Sequence, residues 1–330
     1  MNVVKVGFLS IAHLHADSYA AQLRALPGQA EIVGVWDDDA GRRALKAAEY
    51  GTAAFEDADA LLDAAAAVVV CAENANHRAL VERAAKAGKH VLCEKPLATT
   101  PDEARAMVDA CDAAGVQLMT AFPCRFSPAF GQLLAAVRRG DLGDVLAVRG
   151  TNRGRCPGGW FIDKALSGGG AVMDHTVHVA DLLRVLLGSE PAEVFCEADN
   201  RVLHGDFDDT GFLAITFENG VFATLDASWS RPKTFPTWGD VTLGMTGTRG
   251  VMELDLFAQE MTLFDDTRGR VAYQGWGSSI DRGLVAAFIE AVATGAPVPV
   301  TGVDGLRAVE VVEAAYASAA SGQPVAVRQR

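Results

Sequence analysis

Short, almost wholly apolar runs alternate with amphipathic ones over the first 122 residues. Val3–Ser10, Glu31–Trp36, Val68–Cys71, His90–Cys93 and Gln117–Ala121 are the apolar runs. At this length, with no polar alternation, they read as strands covered on both faces. Between them, Ala16–Leu26, Ala40–Tyr50, Asp57–Ala64, Asn76–Ala87 and Thr100–Ala114 carry apolar residues at helical spacing. Punctuation supports these helices: Pro27-Gly28, Gly51, Gly88 and Gly115 stand just past four of them, and Thr100-Pro101 opens the last as N-cap and first-turn proline. Strand–helix alternation predicts a doubly wound parallel sheet.

The pattern changes near Phe122-Pro123. A helix over Ser127–Arg139 leads to a strand at Val145–Gly150, then to a strong helix, Gly170–Leu187. Strands follow at Val194–Ala198, Gly211–Phe217, Val221–Ser228, Asp240–Met245 and Val251–Leu256, with Glu218-Asn219-Gly220 as a hairpin signal. Helices at Asp281–Ala293 and Asp304–Ala320 finish the chain. The expectation is α/β with two domains. Residues 1–122 form the parallel sheet, and residues 123–330 form an α+β unit with a large, mostly antiparallel sheet and helices on one face. At 330 residues the chain exceeds one compact core, which agrees.

Composition narrows the partners. A net charge of −13 repels phosphate backbones and anionic lipid, so neither nucleic acid nor membrane is expected. The apolar runs are too short to span a bilayer. The chain enters a strand at once, without a secretory pattern. Its six cysteines form no CxxC and mostly sit in apolar runs, so reduced thiols and a cytoplasmic location are expected.

Three places carry candidate chemistry. The first is the turn after the first strand, where backbone N–H groups and a helix dipole offer an anion site. The glycines of GxGxxG are replaced there by Ser10, Ala12 and His15, of which the first two are small enough for close backbone approach. Asp37, ending the second strand, is placed to accept hydrogen bonds from ribose hydroxyls, favouring NAD over NADP; alternatively it is a solvated turn residue or helix cap. His13-Leu14-His15 also matches the way metal-dependent barrel hydrolases begin, which would make His13, His15 and His178 a metal set. The second place is Glu94-Lys95-Pro96, at the sheet edge where open α/β folds bind ligands. The third is the helix after Gly168-Gly169-Gly170, where Asp174, His178 and Asp181 share one stripe beside an apolar stripe of Val172, Val179, Leu183 and Leu186. The pair Asp174 and His178 is a structural hydrogen bond, a metal half-site with His175, or a catalytic pair.

Ala85-Lys86-Ala87-Gly88-Lys89-His90-Val91-Leu92-Cys93-Glu94-Lys95-Pro96 and Gly168–Asp174 followed by His178 resemble the glucose–fructose oxidoreductase and inositol dehydrogenase family, written Gfo/Idh/MocA. Arg125-Phe126, Ala287-Phe288 and Ala308–Ala315 fit as well, and the likeness runs from Val3 to about Val327. The resemblance implies a Rossmann domain, an open-faced second sheet that makes homodimers or homotetramers, and hydride exchange between NAD and a sugar, polyol or inositol-like alcohol. It implies Lys95, Asp174 and His178 as the catalytic group, with Asp174 orienting its two partners. Cofactor contacts fall on Ser10, Ile11, Ala12, His13, His15, Asp37, Asp38, Ala72, Glu73, Asn74, His77, Glu94, Lys95 and Arg125. Substrate contacts fall on Lys95, Arg153, Arg155, Trp160, Asp174, His175 and His178, and no metal is implied. A member that senses NAD or a sugar without turnover is the remaining alternative. Two positions depart from the family pattern: Glu73-Asn74 stands where Thr-Pro is common, and His15 replaces the third glycine.

Overall fold

The computed structural model describes residues 3–258, 260–275 and 279–329. The first half runs β1 (Val4–Ile11), α1 (His15–Arg24), β2 (Ala30–Trp36), α2 (Ala40–Tyr50), β3 (Ala53–Ala54), α3 (Ala58–Ala64), β4 (Ala67–Cys71), α4 (His77–Lys86), β5 (His90–Cys93), α5 (Pro101–Ala114) and β6 (Leu118–Thr120). Its strands pair in parallel in the order β3-β2-β1-β4-β5-β6. Every residue of β4 is buried, the reason this strand carries no polar alternation. The helix signals act as read. Thr100 caps α5 through the Glu103 N–H with Pro101 in its first turn, and Gly51 and Gly115 end α2 and α5 in the left-handed region. The order reverses direction between β1 and β4, so their carboxyl ends flank a crevice, the ligand position of open α/β sheets.

The second half continues with α6 (Pro128–Arg138), β7 (Val145–Thr151), α7 (Lys164–Ser167), α8 (Ala171–Leu187), β8 (Pro191–Asp199), β9 (Thr210–Phe217), β10 (Phe222–Asp226), β11 (Thr242–Gly247), β12 (Val251–Asp255), β13 (Glu260–Asp265), β14 (Arg270–Gly275), α9 (Ile280–Thr294), α10 (Gly302–Ser321) and β15 (Val325–Ala326). The large sheet has the order β12-β11-β7-β10-β9-β8-β15. It is antiparallel except for the β7–β10 pair, which runs parallel across a connection that includes α8. Along β9, buried Leu213, Ile215 and Phe217 alternate with exposed positions. They pack against Val172, Val179, Leu183 and Leu186, the apolar stripe of α8, and against Val311 and Ala315 of α10. The separate β13–β14 hairpin, α7 and β15 were not legible in the pattern.

The last two helices tie the halves together. Leu284, Val285, Phe288 and Ile289 of α9 join Val6, Phe8 and Ile11 of β1 in one core. A side chain at Gly305 of α10 would stand 2.9 Å from Leu97 and collide with Thr120, so glycine is what lets α10 lie against the end of the first sheet. Residue 122 thus divides two sheets, while helices beyond it complete the first core.

Candidate active site

The turn after β1 is braced from β2. Ser10 adopts φ 71°, a left-handed conformation that glycine takes without strain. Its hydroxyl donates to Asp37 Oδ2 (3.1 Å), as does the Ile11 N–H (2.8 Å). Asp37 Oδ1 accepts from the Asp39 N–H (2.9 Å) and from Arg42 Nη2 (2.7 Å). A carboxylate has about four acceptor positions, and all four are taken. Asp37 is fully buried; against the cost of that burial, hydrogen bonds from Arg42, Ile11 and Asp39 hold its carboxyl below the usual range. The expectations that Asp37 lies solvated or caps α2 are therefore corrected. It locks the turn, and the cap is Asp39. Exposed Asp38, 3.2 Å from Arg42, and Glu73, 3.8 Å from it, stand beside the same guanidinium.

His13 caps α1. Its Nδ1 accepts from the His15 N–H and its carbonyl from the Ala16 N–H, each at 3.1 Å. His15, the first residue of α1, turns its ring to Glu94, with Nδ1 3.1 Å from Oε1. The second Glu94 oxygen accepts from the Lys95 N–H (3.0 Å). Burial would raise the Glu94 carboxyl, but its neighbours His13 and His15 and the His15 hydrogen bond hold it far below its usual value. Burial pushes His13 down to about 3, whereas Glu94 outweighs burial at His15 and raises it. Ligand atoms of His13, His15 and Glu94 lie within 4.8 Å of one another, and His178 is not part of the set. The tautomer argues against a metal there. Accepting at Nδ1 puts the ring proton of His13 on Nε2, whereas a histidine ligating through Nε2 donates from Nδ1. The antiparallel second sheet also removes the barrel on which the hydrolase reading depended.

Lys95 follows β5 and precedes a cis bond to Pro96. It meets the start of α8, which is fixed by Asp208. That carboxylate accepts from the N–H groups of Gly170 (2.9 Å) and Val172 (2.7 Å) and from the Tyr316 hydroxyl (2.9 Å), and the Asp208 backbone leaves no room for a side chain at Gly170. Lys95 Nζ lies 2.5 Å from Asp174 Oδ1. Asp174 Oδ2 accepts from Trp229 Nε1 (3.1 Å) and is 3.3 Å from His175 Nε2. Burial opposes the Asp174 charge, yet Lys95, His175 and the Trp229 bond hold its carboxyl far below the ordinary range. His178, one turn on, is buried, and its Nδ1 has no hydrogen-bond partner among the described residues. Burial, and then the Lys95 charge, lower its pKa well below the usual value, so the ring is neutral. Asp174 thus orients Lys95 but makes no hydrogen bond to His178.

Other expected contacts are engaged elsewhere. Arg125 pairs with Asp181 (Nε to Oδ2 2.6 Å) and with Asp304 (3.0 Å) and donates to the Pro299 carbonyl (3.2 Å), so it clamps elements together outside the cavity lining. His77 sits 3.1 Å from the Pro96 carbonyl and 3.2 Å from that of Ala72, bracing the turn after β5. Asn74 donates to the Ser167 carbonyl (2.8 Å), and Glu73 accepts from Asn76 (3.0 Å). Arg153 turns to Asp240 (2.9 Å), away from the cavity. Trp160 stacks on Phe161 at 3.9 Å and donates to the Ala12 carbonyl (3.3 Å), so it buttresses the first turn instead of lining the cavity.

One cavity of about 630 Å³ brings together His13, His15, Lys95, Arg155, Asp174, His175 and His178. Cys156, Pro157, Trp238, Leu256 and Phe257 are among the other residues of its wall. These were missed because they come from loops and strand ends without periodicity.

Residues 1–122 match the family model described as an oxidoreductase family with an NAD-binding Rossmann fold, and residues 130–253 match the GFO/IDH/MocA C-terminal domain. D-xylose 1-dehydrogenase (NADP(+)) 2 of Haloferax volcanii is 31% identical over 327 residues, 97% of this chain and 98% of that one. Myo-inositol 2-dehydrogenase of Thermotoga maritima is 32% identical over 255 residues, 73% of this chain and 74% of that one. The crystal structure of GenD2 from gentamicin A biosynthesis in complex with NAD superposes with a TM-score of 0.91 at 27% identity, covering 100% of this chain and 97% of the other.

Proposed function

The chain belongs to the Gfo/Idh/MocA oxidoreductase family, and from that premise we propose that it moves a hydride between NAD(H) and a secondary alcohol or ketone of a sugar, polyol or inositol-like substrate. The observation carrying this reading is the placement of the Lys95–Asp174 ion pair beside a neutral His178 in one cavity. The site fits the cofactor: small Ser10 and Ala12 line the turn beside the β1/β4 crevice, and the cavity opens next to it. When bound, the nicotinamide supplies the hydride acceptor.

The chain's own residues handle the oxygen. Lys95, held in place by Asp174, donates a hydrogen bond to the reacting oxygen and stabilises the negative charge that builds there. His178 takes the hydroxyl proton during oxidation and returns it during reduction. Asp174 is a positioning residue for Lys95. At the adenosine end, Asp37, Asp38 and Glu73 surround the Arg42 guanidinium while Arg43 donates to the Asp37 carbonyl (2.8 Å), three acidic groups against two basic ones, a balance that disfavours a 2′-phosphate; NAD is the preferred cofactor.

Apolar Cys156, Pro157, Phe161, Trp238, Leu256 and Phe257 line the cavity beside Arg155, His175 and Thr237. That wall suits a substrate with one apolar face, such as a glycoside, better than a fully hydroxylated ring. The exposed face of the second sheet carries Leu146, Phe212, Phe222 and Val251, an apolar surface that a second copy of the chain would cover. Six unpaired thiols support a reducing, cytoplasmic setting.

Fluorescence titration with NADH and NADPH, followed by turnover across sugars, inositols and alkyl glycosides, tests the reading. Saturable NADH binding with turnover of a glycoside is expected. Failure to bind either cofactor sinks it.

A further inference from the structure

In a standard dinucleotide turn, the first N–H groups of the helix after β1 face the diphosphate. Here two of them are consumed within the chain, because His13 accepts from the N–H groups of both His15 and Ala16. The place of the third glycine is taken by a side chain with donors of its own. The His15 ring is 29% exposed and lines the cavity. Its Nδ1 is tied to Glu94 Oε1 at 3.1 Å, so Nε2, on the far side of the ring, points away from the carboxylate.

We infer that His15 grips the diphosphate of the dinucleotide, its Nε2–H replacing the backbone donors that His13 has taken. Glu94 is the positioning residue: it fixes the ring and keeps a proton on Nδ1. The inference rests on the nicotinamide-cofactor reading and assigns how that cofactor is held. A charge-assisted hydrogen bond to phosphate exceeds a neutral backbone bond in strength, which compensates for the lost donors.

The charged groups around His15 set its response to pH. Glu94 at the end of β5 and Asp281 of α9 favour its protonated form, while Lys95 opposes it and burial costs most. His13, edge-on at 4.5 Å, is neutral. The balance raises the His15 pKa above its ordinary value. Dinucleotide affinity is therefore greatest where His15 is charged and declines as pH rises through that value.

The test measures dissociation constants of NADH, ADP-ribose and adenosine for the parent and H15Q between about pH 6 and pH 9, from just below the ordinary histidine value upward. Expected are a loss of about tenfold or more in H15Q for NADH and ADP-ribose at low pH, unchanged adenosine binding, and a flattened pH profile. E94Q, checked for an intact thermal transition, should move the parent's profile to lower pH. The inference is overturned if H15Q keeps the parent's NADH affinity and pH profile, or if adenosine binding falls in step with NADH, which would mark a structural role. Absence of NADH binding by the parent overturns the dehydrogenase reading and this inference with it.

Discussion

Lys95 Nζ and Asp174 Oδ1 lie 2.5 Å apart across 79 residues of sequence, joining the edge of the first sheet to the first turn of α8. Both side chains are nearly buried, so each is the other's main counter-charge. Removing one partner of such a pair costs about 3–5 kcal/mol because it strands the other charge.

Lys95→Ala should lower turnover by about two to four orders of magnitude, from lost oxygen polarisation. NADH affinity should stay nearly intact while the thermal midpoint falls. Steady-state kinetics, NADH fluorescence and calorimetry read the three together. A parallel loss of cofactor binding would contradict the role given to Lys95.

Trp229→Phe keeps most of a buried ring but removes the Nε1–H bond to Asp174 Oδ2. Hydrogen bonds to charged groups contribute about 1.5–3 kcal/mol, so urea unfolding should show a loss in that range. Turnover should fall with little change in cofactor Kd. A variant as stable and active as the parent would show that Asp174 does not need this donor.

Ser10 tests the left-handed turn. Ser10→Gly relieves about 1–2 kcal/mol of backbone strain but gives up a hydroxyl bond of similar size, so stability should shift by less than about 1 kcal/mol. Ser10→Val keeps the strain, adds a branched side chain and loses the bond to Asp37. Its urea midpoint should drop clearly, and an unchanged midpoint would be incompatible with φ 71° at this position.

Acid should destabilise the fold. Asp174, Glu94 and Asp37 have folded pKa values depressed below their unfolded ones. Their stabilisation is present above the unfolded values, near 4, and is lost as pH falls through that range. Asp181, raised to about 6 by burial, adds stability as pH falls from about 6 to 4, above the window in which the three depressed groups lose theirs. The net expectation is a urea midpoint that falls steeply below about pH 4. Asp174→Asn should shallow that fall, and an equally steep profile would rule out Asp174 as a contributor.

Asp38→Ala should weaken NADH more than NADPH by removing a carboxylate beside Arg42, shifting the ratio of their dissociation constants toward NADPH. Equal effects on both cofactors would place ribose recognition elsewhere.

The fold class and the catalytic candidates were legible along the chain. Burial on both faces writes an unbroken apolar run at Val68–Cys71, glycine past a helix end marks its stop, and four-residue spacing puts Asp174 and His178 on one face of α8. These are local consequences of strand and helix geometry, so one segment suffices to read them. The partners of these side chains follow from packing alone. Asp37 became a brace because Arg42 and the turn at Ser10 fill its oxygens, and Arg125 became a clamp because Asp304 of α10 arrives beside Asp181. His15 turned to Glu94 because β5 ends next to α1, and the wall from Cys156 to Phe257 assembled from loops. Those roles depend on which elements dock and at what distance, and hydrogen-bond capacity and charge pairing are settled only when groups far apart in sequence meet.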